Sequence, residues 1–428
     1  MKPKLGFLPL FAACAAFVMS CTEEEPKAPT ELAIVPSVTE LSFDAAVFGS
    51  ESFPVSTDAE SWDAVSETEW INIDKSDAGF TVSCSVNTSY DDRSGVVTVT
   101  SGDASPVNIN VLQRGLQIYM GGNENGIAAY WHNGQKELIG TGNATYINDM
   151  YVDGSGNIYV VGRAGFGTDF CGFYWNSNSG WQDIIGLLDA ENAVNVSAVA
   201  VDESTGDIYY SAYEGWTNED WSQTWVAYTV KNFVEMDQLT EDGVSQAGDV
   251  AFYDGDLYTV MSGDKVGYMK NGDFTALDML GEGIYPSDMY IHDGDVYIGG
   301  WYLAEAGGEY IYAPCYWVNG KAVNVSSEEY AQIYCIYVDE EGNIWLGGSV
   351  GSGLDRAAAY WKNGEKTLLT DLNNACLSGI FARDGVVIAA GFERGDTGNT
   401  VLKYWVNGEE TAVTDGTMDS YCEVMYVR

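Results

Sequence analysis

The stretch from residue 357 to residue 371, "AAAYWKNGEKTLLTD", contains the motif Tyr-Trp-Lys-Asn-Gly, which begins at Tyr360. The same motif, with one variable residue, also begins at Tyr130, Tyr316 and Tyr404. Asn and Gly both tolerate the positive φ angles that a two-residue hairpin turn requires. The motif therefore predicts a strand and a tight turn into the next strand, and the chain repeats it at least four times.

Seven aromatic strands of this kind recur along residues 117–428. Each follows a short apolar strand such as Val296-Tyr297-Ile298, and they are marked by Tyr130, Tyr174, Tyr228, Tyr268, Tyr316, Tyr360 and Tyr404. A repeat of about 45 residues built from short strands has the size of a propeller blade. The sequence therefore predicts four strands per blade and seven blades.

The two ends of this region complement each other. Ile118 starts a second strand with no inner strand before it, and the inner strand Glu423–Val427 has nothing after it. Pairing them would complete the first blade and remove two sheet edges, which otherwise invite aggregation. We therefore expect the C-terminal strand to close the propeller.

Residues 32–114 contain short alternating runs separated by Gly, Asp and Ser, as in a small antiparallel sandwich. The pattern Trp62, Glu69-Trp70-Ile71, Gly79, Val86-Asn87, Arg93-Ser94-Gly95, Val97, Val99, Val111 and Gln113 resembles a BACON domain. That resemblance implies an immunoglobulin-like sandwich of the kind found in surface proteins of Bacteroidetes. It also implies a glycan- or mucin-binding role, with a spacer as the alternative. The predicted fold class is all-β, a BACON-like sandwich followed by a seven-bladed propeller.

Residues 1–20 have the pattern of a lipoprotein signal peptide, with Lys2 and Lys4 before an apolar run too short to span a membrane comfortably. Val18-Met19-Ser20-Cys21 resembles a bacterial lipobox, which implies cleavage before Cys21 and lipidation of that residue. Residues 21–31 would then form an acidic tether. Its Glu cluster resembles the signal for display on the outer face of the outer membrane. The alternatives are an ordinary cleaved signal, Cys14 in place of Cys21 as the lipidated residue, and a plain solvated tether.

Charge narrows the choice of partner. The 428 residues carry 63 acidic and 19 basic side chains, a net charge of −44. This excess argues against nucleic acid and against an anionic membrane surface as partners. We expect a monomer that touches the membrane only through its lipid anchor and binds a glycan or a surface protein.

Six cysteines remain after Cys21, and none has CxxC spacing, so a zinc cluster is not expected. Each lies in or beside a predicted strand. Buried thiols are favoured over disulfides, although an exported protein could form them.

The turns predicted on one face of the propeller are short, whereas the opposite face carries long loops, where function usually resides. Two of these loops, residues 213–225 and 301–314, are rich in Trp and Tyr. Aromatic faces can stack on the apolar faces of sugar rings. The candidate ligand-binding residues are Trp216, Trp221, Tyr302, Tyr310 and Tyr312, with loop packing as the alternative.

Asp149, Asp249 and Asp288 each begin a predicted inner strand, so we expect them to ring the mouth of the central channel on the long-loop face. Clustered carboxylates could bind calcium or serve acid–base chemistry. The alternative is that each carboxylate caps backbone N–H groups.

The leading functional expectation is a non-catalytic glycan-binding surface lipoprotein. One alternative is a carbohydrate-active enzyme, a lyase or glycosidase, that uses the channel-mouth carboxylates. Another is a protein-interaction or structural surface module. The sequence contains no HExxH motif and only two histidines, His132 and His292, so it names no reaction.

Overall fold

The computed structural model describes residues 31–428 apart from 35–36, 47–48, 141, 143, 167–168, 185–192, 219–222, 233–234, 240–242 and 327–329. The predicted signal peptide, Cys21 and nearly all of the acidic tether therefore lie outside the described residues. Within the described ranges, no helix is both long and apolar enough to cross a membrane.

The N-terminal domain is a sandwich of two four-stranded sheets, ordered β1-β3-β6-β5 and β2-β8-β7-β4, with β2 parallel to β8. Phe53, Phe80, Val97 and Ile109 fill the space between the sheets. The strands are β1 (Leu32–Ile34), β2 (Glu40–Phe43), β3 (Ser50–Thr57), β4 (Trp62–Val65), β5 (Ile71–Lys75), β6 (Gly79–Cys84), β7 (Arg93–Ser101) and β8 (Val107–Gln113).

After Gln117, the described residues form seven four-stranded antiparallel sheets, the blades of a β-propeller. The first sheet has the order β11-β10-β9-β36, because the last strand of the chain pairs with β9, as the sequence predicts. Its strands are β9 (Ile118–Glu124), β10 (Ile127–His132), β11 (Gln135–Leu138) and β36 (Ser420–Val427).

The other six sheets each consist of four consecutive strands, listed from the inner strand outward. The second to fourth sheets contain β12 (Thr145–Val152), β13 (Ile158–Phe166), β14 (Asp169–Asn176), β15 (Gly180–Asp183), β16 (Ala193–Asp202), β17 (Asp207–Thr217), β18 (Gln223–Lys231), β19 (Glu235–Gln238), β20 (Val244–Tyr253), β21 (Asp256–Gly263), β22 (Gly267–Lys270) and β23 (Asp273–Ala276). The fifth to seventh contain β24 (Ile284–His292), β25 (Asp295–Ala306), β26 (Glu309–Val318), β27 (Lys321–Asn324), β28 (Ala331–Val338), β29 (Ile344–Ser352), β30 (Asp355–Lys362), β31 (Glu365–Leu368), β32 (Cys376–Arg383), β33 (Val386–Arg394), β34 (Thr400–Val406) and β35 (Glu409–Ala412).

The repeated Tyr-Trp-x-Asn-Gly motif forms the third strand of a blade and its turn. Trp131, Trp317, Trp361 and Trp405 are at most 1% exposed. The turn asparagines have φ near +50°, as in Asn363, and each following glycine is also in the left-handed region. The Asn363 side chain additionally accepts a 2.8 Å hydrogen bond from the Ile344 backbone N–H at the start of the second strand. This bond explains why asparagine in particular occupies the turn.

Asn363 thus has two roles, the positive φ of the turn and the hydrogen bond to Ile344, and we expect mutation to separate them. Asn363→Gly keeps the left-handed turn but loses the side-chain hydrogen bond, at a cost of about 1 kcal/mol. Asn363→Ala loses the bond and also strains the backbone, so it should cost about 1–2 kcal/mol more. Urea unfolding of the two variants checks this order, and equal losses of stability would contradict the role assigned to φ.

Each of the seven inner strands contains a β-bulge at the same level. In five of these blades the second strand has glycine where it faces the bulge, as in the Gly347-Gly348 pair opposite Ile333 and Cys335. A Cβ at Gly348 would lie 1.9 Å from the Gln332 carbonyl oxygen, which is too close for any side chain. The bulges turn polar side chains toward the channel and the neighbouring blade.

The sandwich packs directly on the propeller. Arg383, at the end of β32, is 7% exposed and donates hydrogen bonds to the carbonyl oxygens of Ala46 (2.9 Å) and Cys84 (2.6 Å). Arg428 pairs with Asp44 at 3.1 Å. Ala45, Ala46 and Val86 of the sandwich belong to one apolar cluster with Phe381 and Ile388 of the propeller. Arg383, Arg428 and the apolar propeller residues of this contact lie at the ends of their strands where the short turns are. The sandwich therefore covers the short-turn side of the propeller. We call the opposite side, where long hairpins join the second and third strands, the long-hairpin face.

Candidate functional site

The face opposite the sandwich is built from long β-hairpins. The segments predicted as loops continue as paired strands: β25 and β26 pair from Tyr297–Val318 out to Ala306–Glu309. Only Gly307 and Gly308, at the tip of this hairpin, lie outside the paired strands. The prediction that residues 301–314 form a loop is therefore wrong, because the strand alternation persists through the aromatic segment.

Five partly exposed aromatic side chains, which we call the aromatic cluster, meet where the fifth blade faces the sixth. Trp301 is central, with its ring centroid 5.9 Å from Tyr285, 6.4 Å from Tyr312 and 5.4 Å from Tyr334. Tyr330 extends the cluster at 5.4 Å from Tyr312. Tyr285 is 42% exposed, so the cluster opens to solvent.

Strand alternation decides which of the predicted aromatic residues join this surface. Trp301 pairs with Pro314, and Tyr310 and Tyr312 follow on the same face of the hairpin. Tyr310 is 56% exposed, near the hairpin tip. Tyr302 points to the other face, where it is 6% exposed and donates a 3.2 Å hydrogen bond to the Asn324 side chain. The prediction that Tyr302 faces a ligand is therefore wrong, because it belongs to the core of its blade.

The second predicted aromatic segment lies on the third blade. Trp221 lies outside the described residues, and Trp216 belongs to β17 with its backbone paired to Thr224. In the same hairpin the Tyr213 and Trp225 rings meet edge to face at 5.7 Å. The part of the chain that the structure describes assigns Trp216 and Trp221 to no site, and they remain sequence-based predictions.

The inner strands line a central channel whose bulged residues connect neighbouring blades. Side chains in four bulges donate to a carbonyl oxygen of the next inner strand: Asn148 to Val196 at 2.6 Å, Ser197 to Ala247 at 2.7 Å, Ser287 to Ile333 at 2.7 Å and Ser378 to Cys422 at 2.6 Å. The repeated bonds fix the spacing of the blades around the channel.

Asp149 and Asp288 lie next to two of these bulges, and Asp249 lies within the bulge of β20, so all three are in the middle of their strands. Each accepts a hydrogen bond from a backbone N–H of another inner strand: Asp149 from Val199 at 2.9 Å, Asp249 from Met289 at 2.7 Å and Asp288 from Ile336 at 2.7 Å. The prediction that they ring the channel mouth is wrong, because the bulge places them within the channel wall. Their capping of backbone N–H groups was the alternative interpretation.

The surroundings of these carboxyl groups favour their protonated forms. Loss of hydration raises the pKa of Asp149 to about 8, and the charge of Asp249 adds to that effect. Burial raises the pKa of Asp249 to about 6. Burial and the neighbouring Asp249 also raise the pKa of Asp288 well above its ordinary value. In the described ranges, no group of three or more His, Cys, Asp or Glu side chains is arranged to hold a metal ion.

From the bulges toward the short-turn end, the channel widens into a cavity of about 650 Å³. Tyr151, Tyr290, Tyr337 and Tyr426 occupy one level of its wall. Tyr334 lines the cavity and also contacts Trp301, so the aromatic cluster continues into the channel. Burial raises the pKa of the Tyr334 hydroxyl to about 12, although nearby Arg356 lowers it.

Five of the six cysteines in the described part of the chain are buried, and Cys171 is partly buried. Cys84, Cys315, Cys335, Cys376 and Cys422 are buried free thiols, as the sequence predicts. Burial raises the thiol pKa of all five. They are therefore poor nucleophiles at neutral pH.

Sequence reasoning missed Tyr285, Tyr330 and Tyr334, and it did not include Trp301 among the candidate ligand-binding residues. Tyr330 precedes an inner strand and Tyr285 lies at the start of one, whereas Tyr334 lies in the bulge of β28. The pairing of Tyr285 with Trp301 shows that an inner strand starts beside the long hairpin. For Tyr285 and Tyr330, the available signal was therefore a tyrosine near the start of an inner strand, considered together with the long hairpin of the same or the preceding blade.

Comparison with known families supports both parts of the chain. Residues 31–116 match a family model described as a viral BACON domain. Residues 136–170 match a model described as a beta-propeller repeat, and residues 328–349 one described as a two-component regulator propeller. The resemblance to a BACON domain followed by a propeller is thereby confirmed. No curated protein matches the chain.

Solved structures show weaker likenesses. A GH5 xyloglucanase from Bacteroides ovatus shares 19% identity over 20% of this chain and 19% of its own, with a TM-score of 0.18. The extracellular domain of a putative hybrid two-component system from B. thetaiotaomicron shares 11% identity over 77% of this chain and 38% of its own, with a TM-score of 0.37. A six-bladed fucose-recognising lectin from Aleuria aurantia shares 10% identity over 77% of this chain and 94% of its own, with a TM-score of 0.34. The chain thus spans less than two fifths of the first two proteins.

Proposed function

We propose that this protein binds a glycan through the aromatic cluster on the long-hairpin face of its propeller, without catalysis. The observation that carries the proposal is the position of Trp301, in contact with three tyrosine rings on a surface that remains open to solvent. Packing alone would bury such rings, and a contiguous exposed apolar patch marks a binding surface. Rings of Trp and Tyr offer flat apolar faces with polar edges, which suits sugar rings.

The position of the sandwich supports the same proposal. It packs on the short-turn side through Arg383 and Arg428, so the cluster faces away from the N-terminal domain. We further propose that Cys21 carries the lipid anchor and that the protein is displayed on the outer membrane surface. In that arrangement the sandwich holds the cluster away from the membrane.

The channel carboxyl groups give less support to the enzyme alternative. Asp149 and Asp249 each accept two backbone hydrogen bonds, from Met150 and Val199 and from Val250 and Met289. Groups fixed in this way serve the blade-to-blade contacts and are poorly placed to exchange protons with a substrate.

Removing the central ring should abolish most of the binding. Trp301→Ala and Tyr312→Ala are each expected to weaken affinity for the recognised glycan by about tenfold or more, because each removes a stacking face. Tyr253→Ala is the matched control, since Tyr253 is 37% exposed on the opposite face. Isothermal titration calorimetry of the three variants measures the effect.

Two results would count against the proposal. If Tyr253→Ala weakens binding as much as Trp301→Ala does, the glycan does not bind at the cluster. Release of shorter sugars from a bound glycan would favour the enzyme alternative instead.

A further inference from the structure

The channel cavity contains one carboxyl group, that of Glu423, which contributes neither to the contacts between strands nor to the aromatic cluster. Its wall holds carboxyl groups from four inner strands and from the turn after β28, namely Asp149, Asp249, Asp288, Glu423 and Glu340. Among its described lining residues there is no arginine or lysine, and His292 is the one histidine. Arg383, just outside this lining, pairs with Glu340 at 3.4 Å. The other four carboxyl groups give the interior a negative character when they ionise.

Glu423 is the distinctive member of this set. It occupies the bulge of β36, the position that holds a blade-connecting asparagine or serine in four other blades. In the part of the chain that the structure describes, its carboxyl group has no hydrogen-bond or ion-pair partner. Its side chain lines the channel cavity and is exposed there to solvent. The loss of hydration raises its pKa to about 7, and the more distant Arg163 lowers it slightly.

The wall beyond Glu423 is aromatic. The ring centroids of Tyr151 and Tyr426 lie 5.4 Å apart, and those of Tyr290 and Tyr337 lie 4.8 Å apart. The Tyr151 hydroxyl donates to Glu203 at 2.9 Å, which fixes this ring beside the lumen. Electron-rich rings next to a carboxylate attract organic cations.

We propose that this cavity binds a small organic cation, such as an amine or a quaternary ammonium compound, with Glu423 as the counter-charge and the tyrosines as an aromatic wall. The volume of about 650 Å³ lies in the range of small-molecule sites. A bare metal ion fits less well, because backbone N–H groups already occupy oxygens of the three aspartates.

Binding should be coupled to proton release. Because the pKa of Asp149 is raised to about 8 and that of Glu423 to about 7, both carboxyl groups are partly protonated near neutral pH. A bound cation favours the ionised forms and so lowers those pKa values. Its affinity should therefore rise with pH. Cys335 and Tyr334 also face this region, but burial raises their pKa values beyond the neutral range.

The test compares choline with its neutral carbon isostere, using isothermal titration calorimetry on residues 30–428 at pH 6 and pH 8. We expect choline to bind at least about tenfold more tightly than the isostere. Only choline carries the positive charge that Glu423 and the tyrosine rings attract. Its affinity should be higher at pH 8. Titration in two buffers of different ionisation enthalpy should show proton release.

Glu423→Gln is the decisive variant, because it keeps the shape of the side chain and disrupts no protein contact. It should lower choline affinity about tenfold and reduce the pH dependence. Glu137→Gln, at an exposed position of β11, is the control and should bind as the wild type does. Equal binding of choline and its isostere, no choline binding at either pH, or unchanged binding by Glu423→Gln would each overturn the proposal.

Discussion

Arg383→Ala should separate the unfolding of the sandwich from that of the propeller. The guanidinium of Arg383 is the donor to the carbonyl oxygens of Ala46 and Cys84, and both residues that carry these oxygens are buried. Leaving two buried acceptors without donors costs about 2–5 kcal/mol in total. We expect differential scanning calorimetry to show one main transition for the wild type and two transitions for the variant.

Two further variants sharpen this prediction. Arg383→Lys should give an intermediate loss, because a single ammonium group cannot reproduce the fork of two guanidinium nitrogens. Arg394→Ala, at an exposed arginine on the hairpin side, should leave the main transition nearly unchanged. A single transition at the wild-type temperature in Arg383→Ala would show that the domains are not coupled through this residue.

The propeller should lose stability as the pH rises from 5 to 8. Asp149, Asp249 and Asp288 have pKa values raised above those of the unfolded chain, near 3.8. Their stabilising contribution is complete below that unfolded pKa. It is lost as pH rises through the folded values, about 6 for Asp249 and about 8 for Asp149. The slope is at most about 1.4 kcal/mol per pH unit for each group.

Asp288→Asn and Asp288→Ala distinguish this effect from the repulsion of the whole acidic surface. Asparagine can still accept from the Ile336 N–H but cannot ionise, so Asp288→Asn should flatten the pH dependence. Asp288→Ala leaves that N–H without its acceptor and should destabilise the protein at every pH, by about 1–3 kcal/mol. Asp254→Asn is the control on an exposed turn. Urea unfolding at four pH values measures the slopes, and a slope unchanged in Asp288→Asn would contradict the account.

The propeller was predictable because its signals are local and repeated. Asn363 and its counterparts mark a turn that needs positive φ, and the following strand must then return on the same sheet. The pairing of β36 with β9 followed from counting strands at the two ends. Buried tryptophans such as Trp361 follow from the same repeated motif.

The site was less predictable because its members come from different blades and because only one face of the hairpin contributes to it. Whether Tyr302 or Tyr312 reaches the surface depends on register, and a one-residue change exchanges the two faces. The depth of Asp288 in the channel depends on a bulge that the sequence does not announce. Tyr330 and Tyr334 approach Tyr312 and Trp301 only because two blades pack together.

The most direct test of the central claim is a glycan array probed with residues 30–428 and, in parallel, with the Trp301→Ala variant, each with and without calcium. The account predicts specific glycan binding by the wild type, strong loss of that binding in the variant, and no requirement for calcium. A blank wild-type array, or equal binding by both proteins, would contradict a glycan site at the aromatic cluster and would favour a protein partner.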